Sequence, residues 1–172
     1  MHIEIRQALG RYSQGVDHGD LELAKSAYWP EATDHHGGTW NGNGHEYVTQ
    51  LIARDEQRRA SGFPAPGGMH HLTTILVRRD DEDHATVQTY FVVYQPHDTA
   101  GEYRLALIVG RYLDTFERRG GEWRILAREV VNDFSRIEVP GPIWPRASWQ
   151  EGGFLPGGFG AEDPGVQRLS AK

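Results

Sequence analysis

The feature that most constrains the fold is a change of period around residues 63–68, FPAPGG, which reads as a linker. Before it, apolar residues recur three and four apart; after it come β-rich runs separated by turn sequences. Ile5, Leu9, Tyr12 and Val16 make one apolar stripe and predict a helix over residues 3–16. GVDHGD, with two glycines, breaks it. Asp20 is placed to cap a second helix, LELAKSAYW, that stops at Pro30. ATDHHGGTWNG reads as a short strand entering a glycine-rich turn. Asn43 and Glu46 resemble a capping box ahead of a third helix with Tyr47, Val48, Leu51, Ile52 and Asp55 on one side. Beyond the linker, residues 69–77, 84–94, 103–116 and 122–134 predict four strands, with RRDDED, the polar stretch near QPHDTAGE, and RRGG as reversals. Helices followed by a meandering antiparallel sheet give an α+β layout with the helices on one face. Strong curvature of such a sheet makes a cone with an apolar interior, a natural place for a ligand.

At 172 residues the chain is long enough for one domain with a sizeable core. Residues 1–138 carry the helix and strand patterns. Residues 139–172 form an extension whose PGPIWPRASWQEGGFLPGGFG has neither period. Its aromatics, Trp144, Trp149, Phe154 and Phe159, favour docking on a surface, of this chain or of a neighbouring subunit, over disorder. No run of 18 apolar residues is present, so no membrane span is expected. The start, MHIEIRQALGRY, is charged too early for a secretory signal. The chain has no cysteine, which excludes disulfides, thiolate zinc sites and cysteine nucleophiles, and fits a reducing, cytoplasmic location. A net charge of -6 argues against a nucleic-acid partner, and the arginine pairs at 58–59, 78–79 and 118–119 are separated by acids, as on a solvated surface.

Several polar residues are awkward for a plain core. Tyr12 lies on the buried stripe, and Asp17 stands at a helix end where the macrodipole disfavours a carboxylate. Asp34, His35 and His36 occupy a strand-like segment, and His70 and His71 open the next one, pointing to opposite faces. Arg128 and Asn132, four apart on the last strand, share a face with Leu126 and Val130. Each has an ordinary structural use: a core aromatic for Tyr12, a turn or cap for Asp17, a hydrogen-bonded histidine at a strand end, an ion pair for Arg128 with Glu129 or Asp133. Asp34, His36 and His70 also make a two-histidine, one-carboxylate pattern, but without an HxxxH helix or a second carboxylate nearby in sequence no metal is expected. GGTWNGNG lacks the lysine of a P-loop and the GxGxxG spacing, and there is no GxSxG elbow. The chemistry left open is mainly proton transfer, with no cofactor.

Three stretches carry a family resemblance: RYSQGVDHGDLELAKSAYWPEATDHHG, MHHLTT and VGRYLDTFERRGGEWRILAREVVNDFSR. In this order, over residues 1–137, they resemble the SnoaL-like branch of the nuclear-transport-factor-2-like superfamily. The resemblance implies a cone of strongly curved antiparallel sheet, closed by N-terminal helices around a deep apolar cavity. Members such as dehydrochlorinases, dehydratases and polyketide cyclases imply elimination of water or another leaving group, isomerisation or cyclisation of a small hydrophobic cyclic substrate. They imply a His–Asp dyad, here His70 and Asp17, with Tyr12 as a further catalytic residue. Asp34, His36, Ile108, Arg128 and Asn132 fall at substrate-binding positions. The doublet then resolves with His70 facing the cavity beside Leu72 and Thr74, where the family has asparagine, and His71 facing away. Tyr12, Arg128 and Asn132 are the groups for developing negative charge. Other members of the fold, such as small dioxygenase subunits, bind or support without chemistry, which leaves a non-catalytic hydrophobic-ligand protein as the alternative. The resemblance also implies a homo-oligomer, a trimer before a dimer, through an outer sheet face with His71, Thr73, Ile75 and Val77.

Overall fold

The computed structural model describes residues 1–61, 68–99, 102–139, 155 and 157–170. Its first helix, α1 (His2–His18), buries Ile5, Leu9, Tyr12 and Val16 along the predicted stripe. The helix does not break at Gly15 but runs on to Gly19, whose φ of 73° is left-handed. A Cβ on Gly15 would fall 2.4 Å from the backbone nitrogen of Ala24 in α2 (Leu21–Lys25). Glycine here permits close approach of two helices, and the break comes at the second glycine instead. Asp17 therefore belongs to the last helical turn.

The Asp20 carboxylate accepts from Leu23 N–H at 3.0 Å and caps α2 as expected. That helix is shorter than expected. Tyr28 and Trp29 already belong to β1 (Tyr28–His35), with Pro30 inside the strand. Aromatic residues favour the pleated surface and the residue before proline avoids the helical region, so the local preferences agree. After β2 (Asn41–Asn43), the Asn43 side chain accepts from the N–H groups of His45 and Glu46, at 2.8 and 3.2 Å, and opens α3 (Gly44–Ala60).

The four strands that follow are longer than their sequence patterns: β3 (Met69–Arg79), β4 (His84–Thr99), β5 (Glu102–Arg119) and β6 (Glu122–Glu138). They form the expected antiparallel meander, extended by β1 and β2 into one curved, unclosed sheet of order β2-β1-β6-β5-β4-β3. β1 runs parallel to β6, so the sheet is mixed at that edge. The helices pack on its inner face, where Ile5, Leu9, Val48, Val87, Phe116 and Ile125 lie in the core.

A register shift in β3 changes one expectation. Pairing with β4 slips between Leu72 and Ile75. A bulge adds a residue to the alternation and flips every later side chain. Leu72, Ile75 and Val77 thus pack on the core, while His71, Thr73, Thr74 and Leu76 are exposed. Thr74 does not face inward beside His70, and Ile75 and Val77 do not belong to the outer face.

Past β6, Phe159 is buried against the turn after α1, where a Cβ on Gly19 would lie 2.3 Å from its ring, and the Arg59 guanidinium sits 4.8 Å from the ring centroid. A 3-10 turn (Gly160–Glu162) and a short helix α4 (Pro164–Ser170) follow. Trp144, Trp149 and Phe154 lie outside the described residues. No described helix is long and apolar enough to cross a membrane.

In an open helix, replacing glycine with alanine gains up to about 1 kcal/mol. Gly15→Ala is expected to reverse that sign and cost about 1–3 kcal/mol, the range for overpacking, measured by urea unfolding.

Candidate active site

The helices and the inner sheet face enclose a cavity of about 670 Å³. Val16, Tyr47, Leu51, Phe91, Ile108 and Val130 supply its apolar wall. Asp17, His36, Asp55, His70, Gln95 and Asn132 supply polar groups.

The last turn of α1 and the first residues of β3 meet at this wall. The Asp17 carboxylate accepts two hydrogen bonds from one residue: His70 Nδ1 at 2.5 Å and the His70 backbone N–H at 2.7 Å. A carboxylate only accepts, so Nδ1 carries the proton and Nε2 is the basic nitrogen. That nitrogen makes no hydrogen bond among the described residues, and the His70 side chain keeps 12% exposure. The backbone contact anchors the pair: Asp17 grips the strand as well as the ring, which fixes the imidazole's position along β3. The edge of Tyr12 packs on the ring, with centroids 5.7 Å apart at 75°.

Tyr12 itself is fully buried and is not part of the cavity lining. Its hydroxyl makes no hydrogen bond among the described residues, and its ring packs edgewise with that of Tyr112, centroids 5.8 Å apart. Burial pushes both hydroxyls far up from the ordinary tyrosine value. Tyr12 thus holds His70 by contact and does not reach a ligand.

Arg128 and Asp34 also depart from expectation. Neither lines the cavity. The Arg128 guanidinium is completely buried and donates to both oxygens of Asp114 at 2.8 Å and to the Tyr28 hydroxyl at 3.2 Å. Its central carbon lies over the rings of Tyr112 and Tyr12, 3.9 and 4.4 Å from their centroids. Burial is the largest single influence and works against this charge, but Asp114, Tyr28 and Tyr12 together outweigh it and raise the Arg128 pKa. Asp34 is fully buried, accepting from the Tyr28 hydroxyl at 2.7 Å and pairing with His36 Nδ1. Slips of register at Thr115/Phe116 put Trp123 and Ile125, rather than Leu126, on the inner face with Arg128 and Val130. His36, Ile108 and Asn132 do line the cavity. Asp34, His36 and His70 are drawn into two separate pairs, and the described residues hold no group of three or more side chains suited to a metal ion.

Other lining residues escaped the sequence reading. Trp40 and Gln50 come from the turn after β1 and from α3. The Trp40 Nε1–H has no hydrogen-bond partner among the described residues. Asp55 was visible only as a carboxylate on an apolar helix face. It is 5% exposed, beside Arg54 (3.7 Å) and Arg58 (3.4 Å). Burial raises its pKa, and the two arginines pull it partly back.

A curved sheet closed by helices around a partly polar cavity, with an oriented imidazole on its wall, defines a small-ligand pocket of the NTF2-like kind. The chain belongs to the SnoaL-like domain family, whose model matches residues 2–129. Among solved structures it resembles a hexachlorocyclohexane dehydrochlorinase of type 3 from Novosphingobium barchaimii, at 17% identity, TM-score 0.69, covering 84% of this chain and 94% of that one. A putative scytalone dehydratase from Novosphingobium aromaticivorans matches at 18% identity and TM-score 0.64, covering 82% and 89%. A protein of unknown function from Mycobacterium tuberculosis matches at 24% identity and TM-score 0.60, covering 76% and 70%. At such identities the likeness is one of fold. No curated protein matches the sequence.

Asp55 offers a pH test. Its folded pKa is raised, so the folded state binds a proton more tightly than the unfolded chain does. Stability relative to Asp55→Asn is therefore expected to fall as pH rises through the carboxylate range and to level off above the raised value. Urea unfolding of both proteins from pH 3.5 to 7 measures the difference.

Proposed function

We propose that the protein is a lyase-type enzyme that eliminates water or another leaving group from a small, largely apolar cyclic substrate without a cofactor. The observation that carries this reading is the His70–Asp17 pair on the wall of a partly polar cavity. Neutral imidazole is suited to removing a proton near neutral pH. Asp17 fixes the tautomer with Nε2 as base and stabilises the imidazolium that forms, as a triad carboxylate does. Asn132, on the lining with Gln50, Gln95 and Trp40, is a donor for negative charge developing on the substrate. Arg128 and Tyr12, enclosed in the core, are not assigned that role. The names of two structural relatives, a dehydrochlorinase and a putative dehydratase, agree with elimination.

We also propose a homo-oligomer, a trimer, through the outer sheet face. The register places His71, Val92, Val109 and Phe134 in one row across β3–β6, and Met69, Leu76, Tyr90, Tyr94 and Leu113 are exposed on neighbouring outward positions. So much apolar surface on a sheet face marks an interface. Light scattering is expected to give three times 19.4 kDa, and a mass of 19.4 kDa would remove the proposal.

His70→Ala and Asp17→Asn are each expected to lower turnover about 10²–10⁴-fold, the usual span of general acid–base catalysis, with circular dichroism unchanged. Full turnover by both variants, on any substrate the wild type converts, would refute the base assignment.

A further inference from the structure

The cavity wall carries a second imidazole–carboxylate pair that the reaction above leaves unused. His36 lies on the lining with 15% side-chain exposure, its ring stacked on Tyr47 at 4.1 Å and 24°. Its Nδ1 is hydrogen-bonded to Asp34. Asp34 is held from behind by the Tyr28 hydroxyl, which accepts in turn from Arg128. The carboxylate is therefore anchored to the most deeply buried polar network of the protein. His36 Nε2 makes no hydrogen bond among the described residues.

A histidine's two ring nitrogens are distinct, and the one held by a carboxylate fixes which of them is left to act. His36 spends one and, like His70, keeps the other without a protein partner at the cavity. The strand order adds the geometry. β1, which carries Asp34 and leads into His36, is separated from β3, which carries His70, by β6, β5 and β4. Val130, Ile108 and Phe91, one from each of those three strands, line the cavity as well. The two pairs thus approach one cavity from opposite ends of the sheet.

We propose that His36, oriented by Asp34, is a second catalytic residue: the general acid that protonates the leaving group while His70 removes the substrate proton. This rests on the elimination reading and narrows its substrate class to compounds whose leaving group is a hydroxyl or alkoxide oxygen, which departs poorly without a proton; a halide needs none. The step balances. The proton of a C–H bond passes to Nε2 of neutral His70. The electron pair left behind becomes the new C=C bond. The carbon–oxygen bond breaks with its pair on oxygen, and oxygen takes the proton from Nε2 of protonated His36. The products are an alkene and water or an alcohol. The protein is left with His70 protonated and His36 neutral, and proton exchange with water resets both.

Three probes of graded leaving group test the assignment: 3-methoxy-, 3-phenoxy- and 3-(4-nitrophenoxy)cyclohexanone. His36→Gln is expected to lose about 10²–10⁴-fold on the methoxy compound and less than ten-fold on the nitrophenoxy compound, whose anion leaves unaided. Asp34→Asn should lose in the same order. His70→Ala should fail on all three alike. An equal loss across the series in His36→Gln, or no loss, overturns the acid assignment, while full activity of His70→Ala with the graded loss retained in His36→Gln overturns the base assignment of His70 and not the acid role of His36. A second measurement needs neither turnover nor a variant that folds. 4-Nitrophenol, titrated into the wild-type protein labelled with ¹⁵N-histidine, is expected to shift the His36 Nε2 resonance more than that of His70. No binding at millimolar concentration, or a shift confined to His70, overturns the proposal.

Discussion

A guanidinium cannot be left alone in a protein interior. An unpaired buried charge costs far more than one hydrogen bond, and removing one partner of a buried pair typically costs about 3–5 kcal/mol. Arg128 obeys this constraint by collecting groups from four elements. β6 supplies the arginine, β5 supplies Asp114 and Tyr112, β1 supplies Tyr28, and α1 supplies Tyr12. None of these can move without uncovering the charge. The curved sheet and the first helix are therefore fixed to each other at the level of the cavity. The same residues are the ones from which both histidines take their positions. Tyr12 sets its edge against His70, and Tyr28 holds Asp34, which holds His36.

This arrangement divides labour between two kinds of polar group. Burial drives the hydroxyls of Tyr12, Tyr28 and Tyr112 far from ionisation, so around neutral pH they remain protonated. They act as fixed dipoles and ring faces. The groups that face the cavity include two imidazoles, and each leans on a carboxylate, His70 on Asp17 and His36 on Asp34. Asp17 illustrates the economy of this. A carboxylate in the last turn of a helix is unfavourable against the helix dipole. Two charge-assisted hydrogen bonds to His70, one of them from the backbone, compensate and tie α1 to the edge strand β3.

Much of this was legible in the sequence where a local rule decides the outcome. The stripe Ile5–Leu9–Tyr12–Val16, the caps Asp20 and Asn43, and the four strands follow from period and hydrogen-bonding chemistry that act within a few residues. The pairing of His70 with Asp17 spans 53 positions, and the family resemblance implied it where local rules could not. The errors have a common cause. Gly15 was read as a break, but its role is set by Ala24 across a helix contact. The family motif implies Thr74 inward and strict alternation puts Ile75 outward, and a bulge, invisible in composition, inverts both. Arg128 sits on the inner face as its spacing required, yet spacing along one strand says nothing of Asp114 and three tyrosines waiting on other elements. Asp55, on an apolar helix face, was the one signal of a further polar cavity residue that the pattern did contain.

The confinement of Arg128 also bears on the chemistry. A fully buried guanidinium, held by Asp114 and Tyr28 and absent from the cavity lining, does not present a donor to a substrate there. Arg54 does line the cavity, but it stands beside Asp55, whose carboxylate answers its charge. Negative charge developing on a substrate would therefore meet neutral amides and indole rather than a free cation. Where a bound substrate displaces water from the cavity, charge separation becomes more expensive. A reaction there runs with least penalty when each developing charge is met by a proton in transit, taken at one point and delivered at another. Two carboxylate-oriented imidazoles reaching one cavity from opposite ends of a sheet are a physical arrangement that suits this requirement.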